Sequence, residues 1–160
     1  MQTDKLKNWA LIAEVIASIG VMVTLVFLII GMRDNTNALQ GQTFQELMRD
    51  INAWRSITLE HEQSGLWPKY REDGVQGLSG NEQAVIRLLQ LQLWTIYEAA
   101  YFANERGTLG AEEWIRFETA ICQNRQRGFH EFWDQDFSDL APIRLVLTPR
   151  FAEYVDEHCR

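Results

Sequence analysis

A chain of 160 residues with a formal net charge of −7 is too acidic for a nucleic-acid binder, and no window clusters Lys or Arg as a phosphate footprint would. The same balance excludes a polybasic membrane patch. Six Trp, eight Phe and four Tyr promise an aromatic-rich core or interface, while two cysteines are too few for a disulfide framework.

The first element in chain order is an apolar run. From Val15 through Met32 the sequence carries no charge. With Ala10 to Ala13 added, about 22 positions at 1.5 Å each make a helix of about 33 Å, against a hydrocarbon core of about 30 Å. Trp9 stands at one end as an interfacial anchor, and Arg33-Asp34 ends the run. A cleavable signal peptide is the competing reading. It would be shorter and followed by a small-x-small cleavage site, whereas here Gly31-Met32-Arg33-Asp34 follows. A retained transmembrane helix over residues 10–32 is expected, with a tail over 1–9 and a soluble all-helical domain over 33–160. That domain, about 125 residues, is large enough to bury its own core.

Within the span, Ala10, Ala13, Ala17, Gly20, Thr24, Phe27 and Gly31 recur at alternating steps of three and four. All but Phe27 are small, and the period sets them along one stripe. Small residues on one stripe let helices approach closely in lipid, so Ala10, Ala13, Ala17, Gly20, Thr24 and Gly31 form a candidate oligomerisation surface. Glu14 is the odd residue. A charged side chain costs about 2.5–3.5 kcal/mol at the membrane centre and less near the edge. Glu14 either snorkels to the headgroups or, with Ser18 one turn deeper, forms a polar ring at an oligomer axis. Orientation is set by few charges: Lys5 and Lys7 against Arg33 and the more distant Arg49, which keeps the N-terminus inside by a narrow count.

Residues 34–63 contain no proline, and Phe44, Leu47, Met48, Ile51, Trp54 and Thr58 follow the helical period. This helix is expected to continue from the span. Residues 64–80 read as a loop, punctuated by Ser64-Gly65, Trp67-Pro68, Gly74, Gly77 and Gly80, but packed through Leu66, Trp67, Tyr70, Val75 and Leu78. Ser79 and Glu82 make a capping box that opens the most apolar helix of the domain. Arg87, Gln90, Gln92 and Glu98 interrupt that helix too often for a second span, so it belongs in a protein core and closes at Gly107. A helix over 111–127 follows, with Trp114, Phe117 and Ile121 inward. Gly128 separates it from an aromatic segment over 129–137. Leu145-Val146-Leu147 is a short extended piece at most, and Thr148-Pro149 starts a last helix that presents Phe151, Tyr154 and Val155. The fold class is all-α.

Chemistry-bearing clusters are sparse. His130, Glu131, Asp134 and Asp136 lie close together, but two ligands one helical turn apart are half a metal site, and a solvated acidic face is the simpler account. No metal site is expected. There is no nucleophile motif and no phosphate loop, so no catalytic residue and no cofactor are expected either. Phe132-Trp133 and Trp94 with Tyr97 and Tyr101 fit a core better than a pocket. Cys122 falls mid-helix and Cys159 is next to last, so free thiols are expected rather than a bridge.

The runs from Ala13 to Gly20 and from Gly31 to Leu39, with residues 107–114, Phe132-Trp133 and the stretch from Thr148 to Asp156, resemble a group of uncharacterised bacterial single-span proteins. The spans of that group read like Ala-Glu-Ile-Ile and end in an Arg-Gln-Asn-Thr-like turn. The resemblance implies an inner-membrane protein with a helical C-terminal domain and brings no known activity. Asp34 replaces the usual Gln, and the basic residues common after such spans are sparse; the group's pattern leans the domain to the cytoplasmic side. The expected function is a homo-oligomeric inner-membrane scaffold or partner-binding protein, not an enzyme, whose partners are membrane lipid and itself. The alternative is a small oligomeric channel with Glu14 facing the axis.

Overall fold

The computed structural model describes residues 2–127, 130–134 and 141–159; the side chains of residues 2–13, 15, 127 and 130 lie outside that description. Among the described residues there are seven α-helices, one 3-10 turn and no strand, so the chain is all-α. It divides into two units, Met1–Leu39 and Gln40–Arg160.

Helix α1, Gln2–Gln63, is unbroken, as expected from a stretch without proline. In the first unit, every described side chain from Ile16 to Leu39 is exposed. From Ile16 onward this helix is long and apolar enough to cross a membrane, and its apolar window is not buried within the chain. Three hydroxyls in this stretch bond back to their own helix: Ser18 to the Glu14 carbonyl at 2.8 Å, Thr24 to Gly20 at 2.9 Å and Thr36 to Met32 at 3.0 Å.

In the second unit, α1 turns Leu47 into the core, with Phe44, Ile51 and Trp54 packed against it. The expected loop after α1 is instead helical. Gly65, at φ 81°, turns the chain into α2, Leu66–Asp73, which the 3-10 turn Val75–Gly77 follows. Pro68 stands in the first turn of α2, where a missing N–H costs nothing because that donor has no intrahelical acceptor. The expectation of a packed segment holds: Leu66, Trp67, Tyr70, Val75 and Leu78 are all buried.

The capping box forms as the sequence requires. Ser79 Oγ accepts from the Glu82 N–H at 3.4 Å, and Glu82 Oε2 accepts from the Ser79 N–H at 2.7 Å. It opens α3, Gly80–Glu105, whose Ile86, Trp94 and Ala100 are essentially without exposure. At its end Gly107, at φ 72°, donates to the Asn104 carbonyl while Thr108 donates to Ala103, both at 2.9 Å. These two bonds satisfy carbonyls that the helix leaves open, and the left-handed backbone explains why glycine stands there. The polar interruptions of α3 have structural uses. Buried Arg87 donates to the Ala141 carbonyl, and Glu98 Oε1 accepts from the Thr148 N–H at 2.7 Å.

Helix α4, Ala111–Arg127, has the expected bounds and buries Phe117 and Ile121. The expected break at Gly128 lies outside the described residues, as do Phe129, Asp136 and Phe137. Beyond it come α5, His130–Asp134, and α6, Ile143–Val146, so the suspected extended piece is a short helical turn that becomes extended only at Leu147. Helix α7, Pro149–His158, starts on Thr148 with proline in its first turn. Trp94 and Trp133 lie 4.3 Å apart at the core centre, and Tyr101 meets Phe151 at 5.4 Å and Tyr154 at 4.9 Å. These aromatics are core, as their helical spacing suggested.

The free-thiol expectation is overturned: Cys122 and Cys159 form a disulfide, with their Cα atoms 4.6 Å apart. Sequence position carried no hint of this proximity, because it depends on α7 packing along α4. Tyr154 donates to Glu118, one turn before Cys122, and the Tyr154 ring stacks on His158 at 4.3 Å. The end of α7 is held at both points and Cys159 is 2 % exposed.

Candidate functional site: an apolar helix face and an arginine-flanked groove

The small-residue stripe sits on the helix of the first unit. At about 100° per residue, Ala17, Gly20, Thr24 and Gly31 fall within an arc of about 60°. All four are exposed, and a Cβ built on Gly20 or Gly31 meets nothing. Ala10 and Ala13 lie on the same helical backbone, with side chains outside the described residues, as is that of Trp9. Glu14 is exposed, and Ser18 spends its hydroxyl proton on the Glu14 backbone carbonyl, not on the carboxylate. By the same arithmetic Glu14 lies about 90° from the stripe's centre, so the stripe and the acid occupy different faces.

The second unit brings together side chains that sequence spacing did not. Phe44, Met48, Ile51, Trp54 and Arg55 of α1, Leu93 and Tyr97 of α3, and Arg116, Phe117 and Ala120 of α4 line a groove of ≈ 290 Å³. Trp54 holds one wall in place: its indole N–H donates to the Leu89 carbonyl at 2.7 Å. Leu93 and Phe117 form a buried floor, while Arg55 and Arg116 are exposed. Tyr97 accepts a hydrogen bond from Asn124 Nδ2 at 3.3 Å. Burial pushes the Tyr97 hydroxyl above its ordinary range, against smaller opposing effects of Asn124 and the Arg55 charge, so it stays protonated at neutral pH. The helical periods of α1 and α4 foretold the apolar wall, but no period joins Arg55 to Arg116.

In the acidic cluster near α5, Asp134 pairs with Arg125 and Arg144, while Asp136 and the His130 side chain lie outside the described residues. Arg125 Nη2 bonds Asp134 Oδ2 at 2.8 Å, and Trp133 donates to Asp156 Oδ1 at 2.9 Å, with the Arg125 guanidinium over the Trp133 ring. Among the described residues no three His, Cys, Asp or Glu side chains gather to hold a metal. Lys69 bonds both oxygens of Glu82, at 3.0 and 2.8 Å. That contact, with the Ser79 bonds, lowers the Glu82 carboxyl to about 2.

In comparisons with known proteins the chain matches no family model, no curated protein and no solved structure. The functional reading therefore stands on the residues themselves.

Proposed function

We propose that this chain is a single-span inner-membrane protein whose span packs against copies of itself and whose helical unit is a scaffold or partner-binding module without catalytic activity. The observation that carries the reading is the apolar surface of α1 from Ile16 onward, which no described residue covers. Ten Ile, Val, Leu and Phe side chains from Ile16 to Ile30 are exposed there. On insertion scales each contributes about −0.3 to −0.6 kcal/mol, or about −3 to −6 kcal/mol in sum. Even a central acid at about 2.5–3.5 kcal/mol leaves that sum close to zero or favourable, and Glu14 lies near one end.

The disulfide bears on sidedness. A bridge between Cys122 and Cys159 persists in an oxidising compartment and is reduced in the cytosol. Lys5 and Lys7 favour an N-terminus inside, which for one span puts the helical unit outside. We therefore favour the extracytoplasmic side over the cytoplasmic side that the family resemblance implied. Thiol trapping of the protein in intact cells tests this. The favoured side leaves both cysteines unreactive until a reductant is added, whereas labelling without reductant puts the unit in the cytoplasm.

Self-association is tested by native mass spectrometry from lipid nanodiscs. A defined oligomer that Gly20→Leu dissociates is expected; a monomer for the parent chain overturns the scaffold reading. The channel is the second reading, resting on a Glu14 carboxylate that has no partner among the described residues. It requires ion flux in liposomes that Glu14→Gln changes.

A further inference from the structure

The groove among α1, α3 and α4 has a composition unlike the rest of this acidic chain. Its bed is hydrocarbon and aromatic, no Asp or Glu lines it, and two arginines do. Arg116 has no polar partner among the described residues. Among the same residues Arg55 has the Asn52 amide oxygen alone, at 3.5 Å. In a chain of net charge −7, a carboxylate-free groove with two guanidinium groups that have no carboxylate partner among the described residues is a local inversion of charge.

We propose that this groove binds a medium-chain fatty-acid anion, with its hydrocarbon on Phe44, Met48, Ile51 and Leu93 and its carboxylate between Arg55 and Arg116. Three features select this ligand. An apolar bed with a few polar groups at one place is the usual make-up of a small-molecule site, and ≈ 290 Å³ stands at the small end of such pockets, enough for one acyl chain and not for a folded partner. Guanidinium groups present paired donors that match a planar carboxylate. Tyr97 adds a further donor: its oxygen already accepts from Asn124, which leaves its own proton to give. Every lining residue belongs to the unit Gln40–Arg160, so the proposal does not depend on the span.

The test is photolabelling of the full chain in phosphatidylcholine nanodiscs with a diazirine-bearing decanoate, followed by peptide mapping. Label is expected on residues 44–55 and 116–120, competed by plain decanoate in a saturable way and not by decanol at equal concentration. The double variant R55Q/R116Q should weaken that competition about a hundredfold, about tenfold for each charge-assisted bond lost. Both side chains are exposed, so its unfolding curve should match that of the parent, and each single variant should fall between. Three results overturn the proposal: label confined to residues 16–32, protection by decanol equal to that by decanoate, or labelling indifferent to R55Q/R116Q. Displacement by phosphatidylglycerol vesicles but not by decanoate also overturns it, since the occupant is then a lipid headgroup.

Discussion

In the unit Met1–Leu39 the Ile, Val, Leu and Phe side chains of residues 16–30 are exposed, Phe27 at 70 %, whereas Ile86, Ile121, Ile143, Phe151 and Val155 of Gln40–Arg160 have no exposure at all. The residue types are the same; what differs is where the apolar surface finds cover. In the second unit, polar residues recur on each helix, so an apolar face closes on neighbouring helices and the polar remainder meets water. In the first, residues 15–32 carry no polar face to turn outward. None of the described residues covers them, which is the physical basis for the proposal that lipid and copies of the chain do.

The largest expected effect separates the two units directly. Phe151→Ala leaves a cavity in the aromatic core and should cost about 3–5 kcal/mol in urea unfolding of the second unit. Leu25→Ala removes apolar atoms from an exposed position, and the same curve should not move. Equal losses would mean that the two regions share one core.

Reduction of the Cys122–Cys159 bridge comes next. The bond closes a loop with a sequence separation of 37. Chain entropy puts its contribution at about 4 kcal/mol, with a usual range of about 2–4. Cys122→Ser should shift the urea midpoint of the second unit accordingly, and added reductant should have no further effect on the variant.

An effect of opposite sign tests how complete the second unit's burial is. Both amide atoms of Gln90 are buried without a hydrogen-bond partner among the described residues, one turn from the Trp94 indole N–H, which likewise has none there. Such a group costs about 1–3 kcal/mol, and an apolar side chain of like shape removes the cost. Gln90→Met should therefore raise the melting temperature. A fall would show that the amide has a use in the core.

The smallest effect depends on pH. With its folded value lowered to about 2, Glu82 adds stability that is fully present above the ordinary carboxylate range and is lost as pH falls through about 2. Glu82→Gln keeps the capping geometry and removes the charge. The difference between parent and variant, followed by denaturant midpoint, should hold from pH 6 down to the ordinary carboxylate range and shrink from there to pH 2. A constant difference would remove the Lys69 contact from the account.

What the sequence disclosed follows the range of the physics involved. Local chemistry was legible: the Ser79–Glu82 box, the bounds of α4 and the Thr148-Pro149 start all depend on neighbours within one turn. Helix α2 was misread because Pro68 and the flanking glycines signal a loop, although proline in a first turn is compatible with helix. The disulfide and the groove were hidden for another reason. Cys122 meets Cys159, and Arg55 shares a groove with Arg116, only through the packing of separate helices, which no periodicity encodes. For the stripe, spacing gave the face on which Ala17, Gly20, Thr24 and Gly31 lie, and the structure adds that all four are exposed.

Whether lipid completes the first unit is tested most directly by alkaline carbonate extraction of membranes from cells expressing the full chain. The account predicts that the protein stays in the membrane pellet, and that Val23→Asp with Leu25→Asp, which adds about 5–7 kcal/mol of insertion cost, releases it. Recovery of the parent chain in the carbonate supernatant would contradict the claim.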